Sequence, residues 1–359
     1  MMGVIGLIAL QGMLCAAPEA AAAEGSGWVM PYDAPAGVWT EALPVGNGRL
    51  GAMVFGGVAE ERIQLNEDSL WSGGPQDADN PEALKHLPEV RRLLFEGRVE
   101  EAEKLTIQSM VCKGPGSGLG NGAQVNFGSY QTLGDLRFTF EDGKEPSDYR
   151  RTLDLGRGIA TERYLREGTV VSCETLVSYP DDVLLHTIAS EAAIDYEIQL
   201  SCPLRHEVRY DREGLTLTGR APSDLIIGDV GHFSSPVNQL TYDEPERGMR
   251  FFAQVELVTD GVVNANANGI SVRGARQVTL VVCSATSFSK GEAHQTYAEQ
   301  TARATASRDL AQLRDAHVRD HAALYDRVKL ELGEQEDSTS LEERLIRMRA
   351  GQANGSDLS

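Results

Sequence analysis

Basic residues are scarce in this 359-residue sequence, and their scarcity excludes several classes of partner. Lys and Arg together number 33 against 53 Asp and Glu, which gives a formal net charge of -20. A chain this acidic repels the phosphates of nucleic acids and the headgroups of anionic membranes. We therefore expect no nucleic-acid partner, no membrane partner and no polyanionic substrate.

Cysteine is also sparse, and its spacing argues against a zinc site. The sequence has five cysteines, of which Cys15 lies in the N-terminal segment, and no pair of the other four has C-x-x-C spacing. Three lie within apolar, strand-like runs, where buried free thiols are the expected state: Cys173, Cys202 and Cys283. With Cys112 they leave one disulfide open if the protein is exported.

Long apolar runs are absent apart from one short segment at the N-terminus. Residues 4–14 are mostly apolar but too few to span a bilayer. Small residues follow, and Ala21-Ala22-Ala23 fits the A-x-A pattern of a signal-peptide cleavage site, although no Lys or Arg precedes the apolar run. The sequence predicts a signal peptide over residues 1–23 and an exported protein, periplasmic or extracellular.

Motifs that carry metal, phosphate or nucleophile chemistry are missing. The sequence has no H-E-x-x-H, no G-x-x-x-x-G-K-[ST] and no G-x-S-x-G, and its seven histidines lack metal-ligand spacing. The glycine-rich run at 114–122 follows a predicted helix rather than a strand, which argues against a dinucleotide site. We expect neither a metal nor a cofactor.

Short strand-like runs fill most of the chain. Gly56-Gly57 predicts a hairpin between the runs 49–55 and 60–65, and turn dipeptides such as Asp260-Gly261 separate later runs. Many short strands with few helices predict a mostly β fold, a large antiparallel β-sandwich over residues 28–289. The remaining runs are 135–140, 151–155, 159–166, 169–177, 183–189, 196–202, 215–218, 249–258 and 277–283.

Helical patterns occur in one insertion and near the C-terminus. Asn80 followed by Pro81 predicts a helix start, with breaks at Pro88 and Gly97. Residues 290–333 predict a helical linker, one helix or a pair, that ends in a strand-like run at 328–332. A capping box beginning at Ser340 predicts a last helix through Arg349, within a partly disordered region at 334–359.

The segment 64–75 contains the candidate binding residues. It lies at the end of a predicted strand, so we expect Asn66, Glu67, Asp68 and Trp71 to leave the sheet together. A loop with a Trp, an amide and two acids suits sugars, because the ring stacks on C–H groups and the polar tips take hydroxyls. The alternative is a structural corner in which Trp71 fills core and the polar side chains satisfy backbone N–H groups.

Six blocks in order along the chain carry a resemblance to a known family: 39–57, 64–75, 130–136, 149–155, 277–287 and 320–327. As a set they resemble glycoside hydrolase family 95. That resemblance implies an α-L-fucosidase, typically acting on 1,2-linked fucose with inversion and without a metal, or an α-L-galactosidase. It also implies a β-sandwich, a helical linker, an (α/α)6 barrel and a C-terminal β domain.

In that family the catalytic acid and the groups that activate water belong to the barrel. The residues after Leu332 are too few for a dozen helices. The resemblance therefore assigns no catalytic residue here, and we expect a chain truncated before its barrel and inactive alone. A fucosylated oligosaccharide and an intramolecular barrel are the partners implied for the full-length enzyme.

Two alternatives remain open. A stand-alone carbohydrate-binding or scaffold module could use Trp71 without chemistry, although the apolar stripe predicted on the linker helix requires a packing partner. A relative of the maltose-phosphorylase type, acting on other α-linked sugars, would also place a β-sandwich before a helical barrel.

Overall fold

A computed structural model describes most of the chain, in seven segments. The predicted signal peptide, Cys15, Cys112 and the glycine-rich run at 114–122 lie outside them. The described residues are 29–75, 79–111, 128–140, 146–227, 238–243, 248–330 and 340–352.

The described residues are mostly β, as predicted. Side chains along a strand alternate between the two faces, and strands such as Leu50–Val54 and Glu60–Glu67 accordingly alternate between buried and more exposed positions. The strands are β1 Val29–Tyr32, β2 Leu43–Gly46, β3 Leu50–Val54, β4 Glu60–Glu67, β5 Gly134–Thr139, β6 Ser147–Asp154, β7 Ile159–Arg166, β8 Thr169–Ser178, β9 Val183–Ser201, β10 Arg205–Tyr210, β11 Gly214–Arg220, β12 Asp224–Ile227, β13 Asn238–Thr241, β14 Arg250–Thr259, β15 Val262–Asn266 and β16 Gly269–Thr286.

Fourteen of the described strands form one antiparallel hydrogen-bonded sheet that folds into two layers. One path runs β1-β6-β7-β8-β9-β16-β14-β11-β10, and a second runs β2-β3-β4-β5 and joins it at β9. β2 and β3 pack on β7, β8 and β9, to which they are not hydrogen-bonded. The predicted hairpin at Gly56-Gly57 is confirmed, with Val54 opposite Ile63.

Strand β9 corrects one sequence prediction. The runs 183–189 and 196–202 were expected as two strands, but they form one strand of 19 residues. The polar stretch between them stays extended because β16 follows it with register shifts around Ala275, and bulges of this kind absorb an irregular sequence without ending the strand. The first half of β9 pairs with β8 and the second half with β5.

Three clusters of buried apolar residues occur among the described residues, and two of them lie against the sheet. The larger fills the space between the two layers and contains Ile63, Leu136 and Phe138 from β4 and β5, each without exposed surface. The smaller lies between the sheet and two helices, α4 His294–Ala306 and α5 Leu310–Tyr325. Leu313 of α5 is fully buried there, which stabilises the helix by roughly 1.5–3 kcal/mol.

The helical insertion is a hairpin of α1 Ala83–Phe95 and α2 Val99–Ser109. The predicted break at Pro88 is wrong, because α1 continues through it. The one hydrogen bond that proline removes would end on Leu84, which is 74 % exposed, so water can replace it. The helix begins after Glu82 rather than Asn80. The Asn80 side chain instead accepts from the Glu82 N–H and donates to two carbonyls near the end of α2, which closes the hairpin base.

The C-terminal helices are α3 Ser287–Lys290, a 3-10 turn Gly291–Ala293, α4, α5 and α6 Leu341–Arg349. The Ser340 hydroxyl accepts from the Glu343 N–H at 3.3 Å, which confirms the predicted cap. The strand expected at 328–332 is not formed at 328–330, and its last two residues lie outside the described part. The predicted domain boundaries stay predictions.

The described cysteines are all free thiols. Cys173 and Cys283 are buried as predicted, whereas Cys202 is only partly so. None of the helices in the described segments is both long and apolar enough to cross a bilayer.

Candidate functional site

The corner after β4 holds the four candidate residues, but they do not leave the sheet together. Asn66 and Glu67 still belong to β4, and alternation along the strand turns them to opposite faces. Asn66 faces outward opposite Gly51, while Glu67 has no exposed surface. Asp68 and Trp71 lie beyond the strand end, and both are exposed. The strand extends further than expected, so its pleat decides which side chains reach solvent.

Glu67 has a structural environment. Its Oε2 accepts from the Ser69 N–H at 2.8 Å and from the Ser69 hydroxyl at 2.7 Å, and an Arg49 nitrogen lies 3.6 Å from its Oε1. Ser69 Oγ is also 2.6 Å from Thr286 Oγ1, at the end of β16. Burial raises the pKa of Glu67, and the Ser69 hydrogen bonds act in the opposite direction. Glu67 therefore fixes the turn and does not face a ligand.

The Trp71 ring is held in place with part of its surface open. Its Nε1 donates to the Asp68 carbonyl at 3.0 Å, and its ring meets Tyr130 edge to face, with centroids 5.7 Å apart. Leu70, which is fully buried, fixes the neighbouring backbone. Trp71 remains 44 % exposed, which contradicts the alternative in which it fills core. The residue is a pre-positioned aromatic surface.

Two polar side chains of the corner, those of Asn66 and Asp68, reach solvent. Neither the Asn66 amide nor the Asp68 carboxylate has a hydrogen-bond partner among the residues described, so they do not satisfy backbone groups as the structural-corner alternative required. Tyr130, 41 % exposed, adds a phenol whose pKa burial raises to about 12. It therefore stays neutral and can donate a hydrogen bond. The corner thus combines an exposed aromatic face and a phenol with an amide and a carboxylate.

The corner is braced from below by Arg49. Its Nε lies 2.9 and 3.0 Å from the two carboxylate oxygens of Asp182, and its Nη1 donates to the Ser284 carbonyl. The Tyr297 hydroxyl of α4 donates to the same carboxylate. This network connects the β2–β3 turn, the β8–β9 turn and the linker helix, so the corner and α4 are fixed relative to each other.

Sequence reasoning missed Tyr130 and one further aromatic group, Trp39. Tyr130 begins a block that was noted for resemblance alone, and its place beside Trp71 depends on an isolated bridge between the two residues. Trp39 lies in the 3-10 turn Trp39–Glu41 and donates from Nε1 to Gln64 Oε1 at 2.9 Å. One signal was available in the sequence: Gln64 and Asn66 are two residues apart, so in a strand they share one face. That face could have been considered as a polar surface next to the candidate residues.

No cluster of three or more His, Cys, Asp or Glu side chains suited to a metal occurs within the described segments. The corner itself supplies contact groups. Its buried carboxylate, Glu67, already accepts two hydrogen bonds from Ser69, so Asp68 is the one exposed acid among its four candidate residues. Inverting glycosidases use two carboxyl groups about 6.5–9.5 Å apart.

Comparison with known proteins places this corner in a family context. Residues 30–291 match the model of the glycosyl hydrolase family 65 N-terminal domain. The chain is 29 % identical over 275 residues to alpha-L-fucosidase 2 of Arabidopsis thaliana, covering 72 % of this chain and 30 % of that protein. It is 28 % identical over 317 residues to the probable alpha-fucosidase A of Aspergillus niger, covering 82 % and 36 % respectively.

Among solved structures, a putative kojibiose phosphorylase from the human microbiome superposes with a TM-score of 0.44 at 10 % identity, covering 83 % of this chain and 38 % of that one. The chain thus spans about a third of the length of its fucosidase relatives. The predicted resemblance to fucosidase N-terminal domains is confirmed, while the matching family model carries the name of family 65 rather than 95.

Proposed function

The chain belongs to the glycosyl hydrolase family 65 N-terminal domain family, and on that premise we propose that it serves an α-L-fucosidase-type enzyme acting on fucosylated glycans. The finer proposal is cleavage of 1,2-linked α-L-fucose with inversion, in an exported protein. The observation that carries it is the corner: a fixed, 44 % exposed Trp71 near the end of the strand that carries Asn66, with Asp68 between them; neither polar side chain has a hydrogen-bond partner among the described residues.

The chemistry of the corner suits a neutral sugar. An indole face stacks on the C–H groups of a pyranose, and an amide with a carboxylate takes its hydroxyls. Fixing the ring in advance through the Asp68 carbonyl and Tyr130 lowers the entropy lost on binding.

We propose that catalysis belongs to a separate barrel domain, as the resemblance to family 95 implies. The corner supports this division, because Glu67 is buried and hydrogen-bonded and Asp68 is one acid where an inverting site requires two. We propose that residues 28–289 bind and position, and that this chain by itself does not hydrolyse.

The test is calorimetry and product analysis on the purified chain with an α-1,2-fucosylated trisaccharide. We expect binding, a loss of about tenfold in affinity for Trp71→Ala, and no product above a buffer blank. Phe95→Ala is the matched control, since Phe95 is an aromatic side chain 92 % exposed on the helical hairpin. Clear turnover would refute the inactivity, and unchanged binding in Trp71→Ala would refute the corner.

The stand-alone binding module gains one supporting observation. The apolar stripe of α5 does not need a partner outside the chain, because Leu313 is buried against the sheet. Kinetics on an enzyme that contains both this domain and a catalytic domain distinguish a domain that serves catalysis from a separate binding module. In the first case Trp71→Ala lowers kcat/KM for a small substrate, and in the second case it leaves kcat/KM unchanged.

The maltose-phosphorylase-type alternative stays open. An α-glucosyl disaccharide in the same titration separates it from the fucosidase proposal. Tighter binding of the glucosyl ligand than of the fucosyl ligand would favour it.

A further inference from the structure

The outward face of β4 carries a second aromatic group that the proposed corner does not include. Arg62, Gln64 and Asn66 point outward in alternation along the strand. Trp39 lies against this face with its Nε1 2.9 Å from Gln64 Oε1, and it is 55 % exposed. The indole N–H is therefore occupied within the protein, while much of the ring remains open. Trp71 shows the same arrangement, with its N–H on the Asp68 carbonyl.

Trp39 is fixed by the turn that carries it. The Glu41 carboxylate accepts from the Gly37 N–H at 2.8 Å and from the Val38 N–H at 3.3 Å, which closes the turn around the tryptophan. The Glu41 carbonyl in turn accepts from Arg151, which is buried, at 2.7 Å. The ring is thus attached to the core through its backbone and to β4 through its N–H.

The polar side chains around Trp39 are also oriented. The Gln64 amide donates to Asp135 Oδ1 at 3.2 Å, across the β4–β5 pair. Arg62 Nε lies 3.0 Å from Asp135 Oδ2, and the Arg62 guanidinium stacks 4.6 Å over the Phe55 ring. Each group is held by a neighbour, which is the preorganisation that binding sites require.

The charges on this face balance. Arg62 and Arg137 pair with Asp135, and Arg137 also pairs with Glu60, so two positive and two negative groups neutralise one another. A balanced ladder offers no net attraction to an ion. Its oriented dipoles, next to an open indole face, match a neutral ligand rich in hydroxyl groups.

We infer that Trp39, Gln64 and Asp135 form a second sugar-binding site, which continues the corner through Asn66 and receives the part of an oligosaccharide beyond its terminal sugar. The choice of a glycan rests on the proposed function. Gln64 and Asp68, whose oxygens accept from the two indole N–H groups, are four residues or about 13 Å apart along the chain, so the two sites take different sugar units of one ligand.

The experiment compares ligand length in calorimetry on the chain. The ligands are an α-1,2-fucosylated tetrasaccharide, the corresponding disaccharide and the tetrasaccharide core without fucose. Trp39→Ala is expected to weaken tetrasaccharide binding about tenfold and leave disaccharide binding within twofold. Trp71→Ala is expected to weaken both. Phe95→Ala is again the control for loss of an exposed aromatic group.

A second variant guards against a folding defect. Trp39→Phe keeps a smaller aromatic face but loses the N–H that fixes the ring on Gln64, so we expect a severalfold loss, between the parent and Trp39→Ala. Gln64→Ala removes the same hydrogen bond together with the amide, so it should lose at least as much. Far-ultraviolet circular dichroism of each variant should match the parent, because that signal comes from the backbone and not from the indoles.

The outcomes separate the two claims. If Trp39→Ala binds every ligand like the parent while Trp71→Ala loses affinity, the second site is wrong and the corner stands. If Trp39→Ala weakens the core lacking fucose and Trp71→Ala changes nothing, the corner is wrong and the second site stands. Absence of binding by the parent would overturn both.

Discussion

Two buried carboxyl groups of β4 face the same side of the strand and have opposite environments. Glu67, near the corner, receives two hydrogen bonds from Ser69 and has Arg49 beside it. Glu61, six residues earlier, is fixed by the Gly57 N–H and lies near the equally buried Glu162 of β7. The pleat buries both side chains of β4, but their neighbours decide whether a charge is tolerated.

The Glu61–Glu162 pair joins the two layers of the sheet. Gly56, at φ +73, makes room for it, because a Cβ there would lie 3.3 Å from Glu162 Cγ and against the Tyr149 hydroxyl. Burial raises the pKa of Glu162 to about 8, against the lowering effect of Arg151, and burial together with Glu162 raises the pKa of Glu61 well above its usual value. The pair holds protons that an unfolded chain would release.

The largest expected effect is the pH dependence caused by Glu162. Because its pKa is raised in the folded state, its stabilising contribution is complete below about pH 4.5 and is lost as pH rises to about 8. Glu162→Gln removes this titration, so its stability relative to the parent should rise by up to about 1.4 kcal/mol per pH unit between those limits. Urea unfolding at successive pH values measures it.

Three titratable groups face Glu162 and could contribute to the same pH dependence: Glu61, Arg151 and Cys173. Burial raises the pKa of the Cys173 thiol. Glu191→Gln, on an exposed stretch of β9, is the control. A parallel pH profile for parent and Glu162→Gln would show that the pair is not protonated in the folded protein.

Arg49→Ala should have the next largest effect on stability. It removes the favourable environment of Glu67, the buried carboxylate that has a positive charge beside it. The change leaves Asp182 and the buried Glu67 without their guanidinium, and removing one partner of a buried pair typically costs about 3–5 kcal/mol. We expect about 3 kcal/mol in urea unfolding, because Asp182 is partly exposed. Arg209→Ala, in a solvent-exposed pair with Glu207, should leave the unfolding midpoint nearly unchanged. Equal losses for the two variants would contradict the bracing role of Arg49.

Ser69→Ala gives the smallest effect and sharpens the contrast between the faces of β4. It removes a hydroxyl hydrogen bond to buried Glu67, which should cost about 1–3 kcal/mol. Asn66→Ala, one residue before Glu67 but on the outward face, should stay within about 0.5 kcal/mol. Thermal unfolding of both variants checks this, and a larger loss for Asn66→Ala than for Ser69→Ala would mean that Asn66 is structural.

The sequence predicted the strands and the residue types of the corner, but it did not predict which of the corner side chains face the interior. The β3–β4 hairpin follows from alternation and from Gly56-Gly57, which are local signals. Glu67 could not be assigned to the interior, since that depends on where β4 ends and on Thr286, more than two hundred residues away. Trp39 escaped for the same reason: its significance comes from Gln64, on another element.

The sequence predicted two strands where β9 is one, because the residues between the two apolar runs are mostly polar or small. Its middle residues, such as Glu191, are exposed, and a polar interval normally indicates a loop. Only the bulged pairing with β16, a long-range feature, keeps that interval extended. Patterns of local character predict elements well, and contacts between distant parts of the chain decide where those elements end.

One backbone segment, β9, crosses from one half of the sandwich to the other without leaving the ladder. Pulling either layer away would have to strip bonds from the same nineteen residues, so the halves should melt together in a single transition. A protease cut next to Glu191 would divide β9 into one piece paired with β8 and one piece paired with β5. We expect such a cut to lower the stability of both halves, because the covalent connection between them within the ladder is lost.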